Sequence, residues 1–161
     1  MFRKLICIAV IMLHISCGSD KENETFVVAK DTVAIRSNYS KNDLSKISWI
    51  EGKWRGMYDG KPFYEIYEIV NGNLKITGYD WNGDSSNTSV DYVTWKNDAY
   101  YLGKEQNYKV TILTDSVIKM VPVKANNNIT WRKMEKGWDA ILTGKKGITV
   151  YNMERFDPFK K

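Results

Sequence analysis

Histidine, cysteine and paired carboxylates carry most protein chemistry, and in this chain the first two types are confined to the opening seventeen residues. The single histidine is His14, and the two cysteines are Cys7 and Cys17. From Gly18 onward there is neither imidazole nor thiol. That stretch therefore cannot run Ser-His-Asp or Cys-His nucleophilic catalysis, histidine general-base chemistry, the usual zinc sites or histidine-ligated haem. It has no disulfide either, so packing alone must hold it together. Carboxylates remain. Glu65 and Glu68 fall on opposite faces of a regular strand and do not form a pair. Asp139 and Glu154 lie on two late strands and could face each other, the arrangement a glycosidase needs across a cleft. The stretch "DWNGDSSNTSVD" puts Asp80, Asn82 and Asp84 at loop positions one, three and five of a calcium site, with Asp91 at twelve. Position six is Ser85 where the turn needs glycine, position twelve is not glutamate, and no helices flank it. Asn82-Gly83-Asp84 reads as a hairpin turn, and no metal or other cofactor is expected. The chain is expected not to be an enzyme.

Cys17 offers chemistry of a different kind. Arg3 and Lys4 precede an apolar run from Leu5 to Leu13, followed by His14-Ile15-Ser16-Cys17, the layout of a secretory signal. The apolar run is too short to span a bilayer as a mature helix. Small Ser16 directly before cysteine resembles the lipobox of bacterial lipoproteins, although His14 stands where Leu or Val is usual. The resemblance implies removal of residues 1–16 and lipidation of Cys17. It also implies a lipid-anchored place in a bacterial cell envelope, at the outer membrane facing the periplasm or the surface. Asp20 and Glu22 resemble the surface-export signals of some Gram-negative envelopes. Without Arg3 and Lys4 the 24 basic residues become 22 against 19 acidic ones, a net charge of +3. No basic run or basic helix is present, so nucleic acid is excluded as an expected partner.

The elements that must position any site are strands. Residues 17–43 read as a polar tether, interrupted by the apolar stretch "FVVAKDTVAI". From Leu44 the turn signals come at short, regular intervals: Asp59-Gly60, Asn71-Gly72-Asn73, Lys96-Asn97-Asp98, Thr114-Asp115, Asn126-Asn127-Asn128, Glu135-Lys136-Gly137 and Gly144-Lys145-Lys146-Gly147. Between them lie runs rich in Val, Ile, Thr, Tyr and Trp. Ile118 and Met120 alternate with Val117, Lys119 and Val121; Ile129 and Trp131 alternate with Thr130 and Arg132. Connections this short force antiparallel neighbours, and a meander of this length must close to hide its edges. The expected fold is all-β: a single antiparallel up-and-down barrel of eight to ten strands over residues 44–157. A short helical turn precedes it, capped by Asn42 or Asp43, with Leu44 and Ile47 at helical spacing.

Gly52-Lys53-Trp54 after that turn resembles the opening of the calycin superfamily, the lipocalins and fatty-acid-binding proteins. The fuller "WIEGKWRG", followed by Tyr64-Glu65-Ile66-Tyr67, resembles uncharacterised bacterial lipocalin-like domains that open Trp-[Leu/Ile]-x-Gly-x-Trp-x-Gly. The resemblance implies that Trp54 plugs the barrel base beneath a late arginine, Arg155 first and Arg132 second, with Trp49 as a lid. A His-Asp-Phe-Pro block of those domains has no counterpart in "VPVKANNNITW", so no activity carries over.

A barrel of this size can enclose one small ligand, and its strands are full of rings with one polar tip each. Tyr64, Tyr79, Trp81, Tyr92 and Tyr108 are the expected lining residues. The expected function is non-catalytic binding of a small apolar or amphipathic molecule by a lipid-anchored envelope protein. The alternative is a structural or interaction lipoprotein with a filled barrel that binds another envelope protein.

Overall fold

The computed structural model describes residues 38–79 and 88–156. The expected signal segment, lipidated Cys17, and Asp80, Trp81, Asn82 and Asp84 lie outside the described residues. Ten strands are present: β1 (Gly52–Tyr58), β2 (Lys61–Val70), β3 (Asn73–Tyr79), β4 (Thr88–Lys96), β5 (Ala99–Leu102), β6 (Tyr108–Leu113), β7 (Val117–Pro122), β8 (Asn127–Lys133), β9 (Trp138–Gly144) and β10 (Gly147–Arg155). Each pairs antiparallel with its sequence neighbour, and β1 returns to β10 to close an up-and-down barrel. Turn chemistry sets this order. Asp59-Gly60, Asn71-Gly72 and Asn97-Asp98 each carry two successive positive φ angles, the conformation of two-residue hairpin turns whose twist matches the flanking strands.

Alternation then sorts the side chains. Leu74, Val93, Val110, Ile118, Met120, Trp131 and Met153 point inward and are buried. The outer wall carries ion pairs: Arg55–Glu154 at 2.8 Å, Lys75–Glu68 at 3.2 Å and Arg132–Asp139 at 2.8 Å. Among the described residues no helix is long and apolar enough to cross a membrane.

One end of the barrel is solid. A 3₁₀ helix, Asp43–Ile50, touches both β2 and β6 and buries Leu44, Ile47 and Ile50. It runs to Ile50, longer than one turn. Asn42 makes no side-chain cap; instead Asp43 accepts the Ser40 N–H at 2.7 Å and pairs with Lys46 at 2.9 Å. Packing begins at Tyr39, within the stretch expected as tether: its carbonyl accepts the Trp95 indole N–H at 3.0 Å, and its ring lies 6.1 Å from Tyr100. At the centre sits Trp138, 1% exposed, with the rings of Tyr67, Trp131, Trp54 and Trp49 around it at 5.3, 5.7, 6.0 and 6.4 Å.

Trp54 is held from both sides. Its indole N–H donates to the Ile50 carbonyl at 2.6 Å, and the Arg155 guanidinium lies 4.0 Å above its ring. Arg155 also donates to the Glu51 carbonyl at 2.5 Å, bridging the last strand to the helix exit. Gly52, at φ +125°, leaves the space that guanidinium occupies; any side chain there would collide with Nη1. Arg132, the second candidate for this role, is on the outer wall and goes to Asp139, because it alternates with inward Trp131.

Replacing Trp138 with alanine removes the ring that four others contact. We expect a loss of about 3–5 kcal/mol in urea unfolding. Arg155→Lys keeps the charge but loses the planar stack and the fork; the expected cost in the same measurement is about 0.5–2 kcal/mol.

Candidate functional site

Beyond Trp138 the barrel is hollow. A cavity of about 560 Å³ occupies the other half, within the roughly 300–1,000 Å³ span of small-molecule sites. Its floor is Tyr67 and Trp131, ring edge to ring face at 5.7 Å. Ile76, Leu102, Ile129, Leu142 and Met153 form the walls. At the rim Tyr151 sits between Phe63 (5.6 Å) and Tyr58 (6.1 Å), and Tyr58 is exposed, so this end opens to solvent. Gly78 and Ala140 on the lining supply no bulk, which is why strands that are solid at one end enclose space at the other.

Two carboxylates face this space, Glu65 from β2 and Asp91 from β4, with Ser89 beside the latter at the exposed edge. Glu65 accepts the Tyr67 hydroxyl at 2.6 Å, a charge-assisted length. Burial pushes the Glu65 carboxyl above the usual carboxylate range, with the Tyr67 hydrogen bond pulling partly back. The Tyr67 phenol is pushed far upward, first by burial and then by the neighbouring carboxylate. No lysine or arginine lines the cavity, and neither carboxylate has a cationic partner among the described residues.

The expected lining set needs correction. Tyr108 is on the inner side of β6, where its hydroxyl donates to the Asn127 side-chain oxygen at 2.9 Å, but it is not among the residues that bound the cavity. Tyr64 and Tyr79 pair across β2 and β3 on the outer wall, and the Tyr64 ring lies tilted against Phe156 at 4.7 Å. Tyr92 is 43% exposed on the outside of β4. All three alternate with inward residues: Glu65 follows Tyr64, Gly78 precedes Tyr79 and Asp91 precedes Tyr92, so a one-position choice of face put the wrong ring inside. Trp81 lies outside the described residues. Trp49, Trp54 and Arg155 belong to the solid end, away from the cavity.

The other carboxylate candidates also resolve. Asp139 does not face Glu154; it accepts Arg132 and the Asn152 amide, each at 2.8 Å, from the strands on either side. Glu154 pairs with Arg55. Asp91, read against a calcium loop, is on the cavity wall, and among the described residues no three acidic, histidine or cysteine side chains converge as a metal cluster. Read from the sequence, Glu65 is weighed only against Glu68 and Asp91 only as a calcium ligand, and Phe63, Tyr151 and Trp138 are not singled out for the cavity. For Glu65 the available signal was its place between Phe63 and Tyr67, two inward aromatics at strand spacing.

A carboxyl whose pKa is raised on folding binds its proton more tightly in the folded state. Its favourable contribution is full below the unfolded value and lost as pH rises through the folded one. Glu65→Gln keeps an acceptor for Tyr67 and removes the titration. We expect the variant to melt at a higher temperature than the parent at about pH 8, and the gap to close near pH 4.

Comparison of the chain with protein-family models, with curated proteins and with solved structures finds no match, so the functional reading rests on this cavity and on the sequence.

Proposed function

We propose that this chain is a lipid-anchored protein of a bacterial envelope that holds a small apolar or amphipathic molecule in its barrel without transforming it. The supporting observation is the half-hollow interior: about 560 Å³ of largely apolar and aromatic space, open to solvent at one end and floored by Tyr67 and Trp131 at the other. Holding a ligand there requires shape, apolar area and a few polar contacts, and no catalytic residue. The anchor rests on the lipobox-like Ser16-Cys17 and the signal layout before it. The calycin-like opening at Gly52-Lys53-Trp54 agrees with a carrier. The partners in this reading are the ligand and, through the acyl group, the membrane. The competing reading, a filled barrel that docks another envelope protein, has less support because the open half holds volume that its own side chains leave empty.

Two measurements test the parts separately. Native mass spectrometry of the full chain carrying Cys17→Ser, against its denatured mass, is expected to release a small molecule. An unchanged mass, with no quenching of tryptophan emission by a panel of lipids and haem, turns the assignment to the docking protein. For the anchor, the parent chain is expected to partition into detergent and the Cys17→Ser chain to leave it; equal partitioning removes the lipid.

A further inference from the structure

The charge pattern of the cavity narrows the chemistry of its occupant. Of the described residues that bound it, Glu65 and Asp91 are acidic, Ser89 is a neutral hydroxyl, and none is a lysine or arginine. A ligand carboxylate or phosphate entering this space meets two carboxylates and no counter-charge. A neutral lipid makes no use of them. Resting on the binding role assigned above, we propose that the cavity takes an amine as its ammonium ion, carried on an apolar body. The ammonium sits on Glu65 and the body fills the space toward Tyr58, Phe63 and Tyr151.

Depth and partners support this orientation. Along β2 the inward residues run Phe63 at the rim, Glu65, then Tyr67 on the floor, so the carboxylate lies below the aromatic rim. Tyr67 supplies its one hydrogen bond among the described residues, through a single oxygen, which leaves acceptor sites for an N–H donor from the cavity side. The rings of Tyr67 and Trp131 line the same space, and aromatic rings attract cations. A buried ammonium is tolerated only where a counter-ion and hydrogen bonds replace its water, and Glu65 with these rings provides both. Asp91, at the exposed edge of the wall, adds negative potential on the approach. Burial disfavours the charge on Glu65, and an ammonium beside it favours that charge. Among the described residues, the titratable groups that line the cavity with Glu65 are Tyr67 on its own strand, Tyr58 from β1, Asp91 from β4 and Tyr151 from β10.

The test is calorimetric titration of the full chain carrying Cys17→Ser with decylamine, decanol and decanoate, which share one chain and differ in head group. Decylamine is expected to bind at least about tenfold more tightly than decanol, as a charge-assisted hydrogen bond implies, with decanoate weakest. Amine affinity is expected to rise between about pH 5 and pH 8 while the amine stays protonated. Adding Glu65→Gln is expected to bring decylamine down to the decanol value and abolish that rise, with decanol binding retained as proof of a folded cavity. Asp91→Asn is expected to weaken the amine less. If decanol or decanoate binds as tightly as the amine, or Glu65→Gln leaves the amine unaffected, the ammonium assignment is overturned while the cavity stands. If none of the three binds to the parent, the binding function itself falls.

Discussion

The indole of Trp138 divides the molecule. It is the first residue of β9, delivered inward directly after Gly137, whose φ of +86° places its Cα hydrogens against the Met153 carbonyl. Trp49 from the helix, Trp54 from β1, Tyr67 from β2 and Trp131 from β8 all pack on it edge to face. Such contacts add to the area each ring buries, and here a single ring collects four of them. The helix, the closing seam and the cavity floor thus share one anchor. The seam is short, pairing Trp54 with Arg155 and Arg55 with Glu154, and it relies on the stacked guanidinium as much as on backbone bonds.

Ten strands make a circumference larger than one layer of side chains fills. The two halves of the barrel answer that geometry differently. At the solid end the indoles of Trp49, Trp54, Trp131 and Trp138 pack with Tyr67 and the buried Leu44, Ile47 and Ile50. Toward the mouth the inward positions pass to Gly56, Gly78, Ser89 and Ala140. The change from large to small along the same strands is what makes a site. Its polar character comes from Glu65 and Asp91, two positions where a purely structural barrel would carry apolar groups.

Those same positions decided what the sequence could reveal. Hairpin turns at Asp59-Gly60 and Asn71-Gly72 and the clean alternation of "SVIKMV" made the meander and its strand number legible. The Trp54–Arg155 contact was readable because one motif fixes the start of β1. The cavity was not. In "KPFYEIYEIV" aromatics occupy both faces of β2, and in β4 the outward Val90 and Tyr92 are more apolar than the inward Ser89 and Asp91. Rules that send charge outward therefore choose the wrong face at the mouth. Local consistency breaks where the barrel departs from packing, which is the usual place for function. Trp138 escaped notice for another reason: a single large residue beside a turn has no period to betray it.

The two-residue seam between β1 and β10 also bears on how the chain reaches this state. Every other pairing joins strands adjacent in sequence and can form as the local hairpin is made. Arg55 and Glu154 stand 99 residues apart, so closure carries the loop-entropy cost that local pairing avoids. During synthesis β1 waits with one edge unpaired until β10 has left the ribosome, and an open edge is a template for foreign strands. β1 is short and carries Lys53 and Arg55 on its outer face, charges that discourage another chain from adding there. The same residues that close the native barrel thus guard its unfinished form.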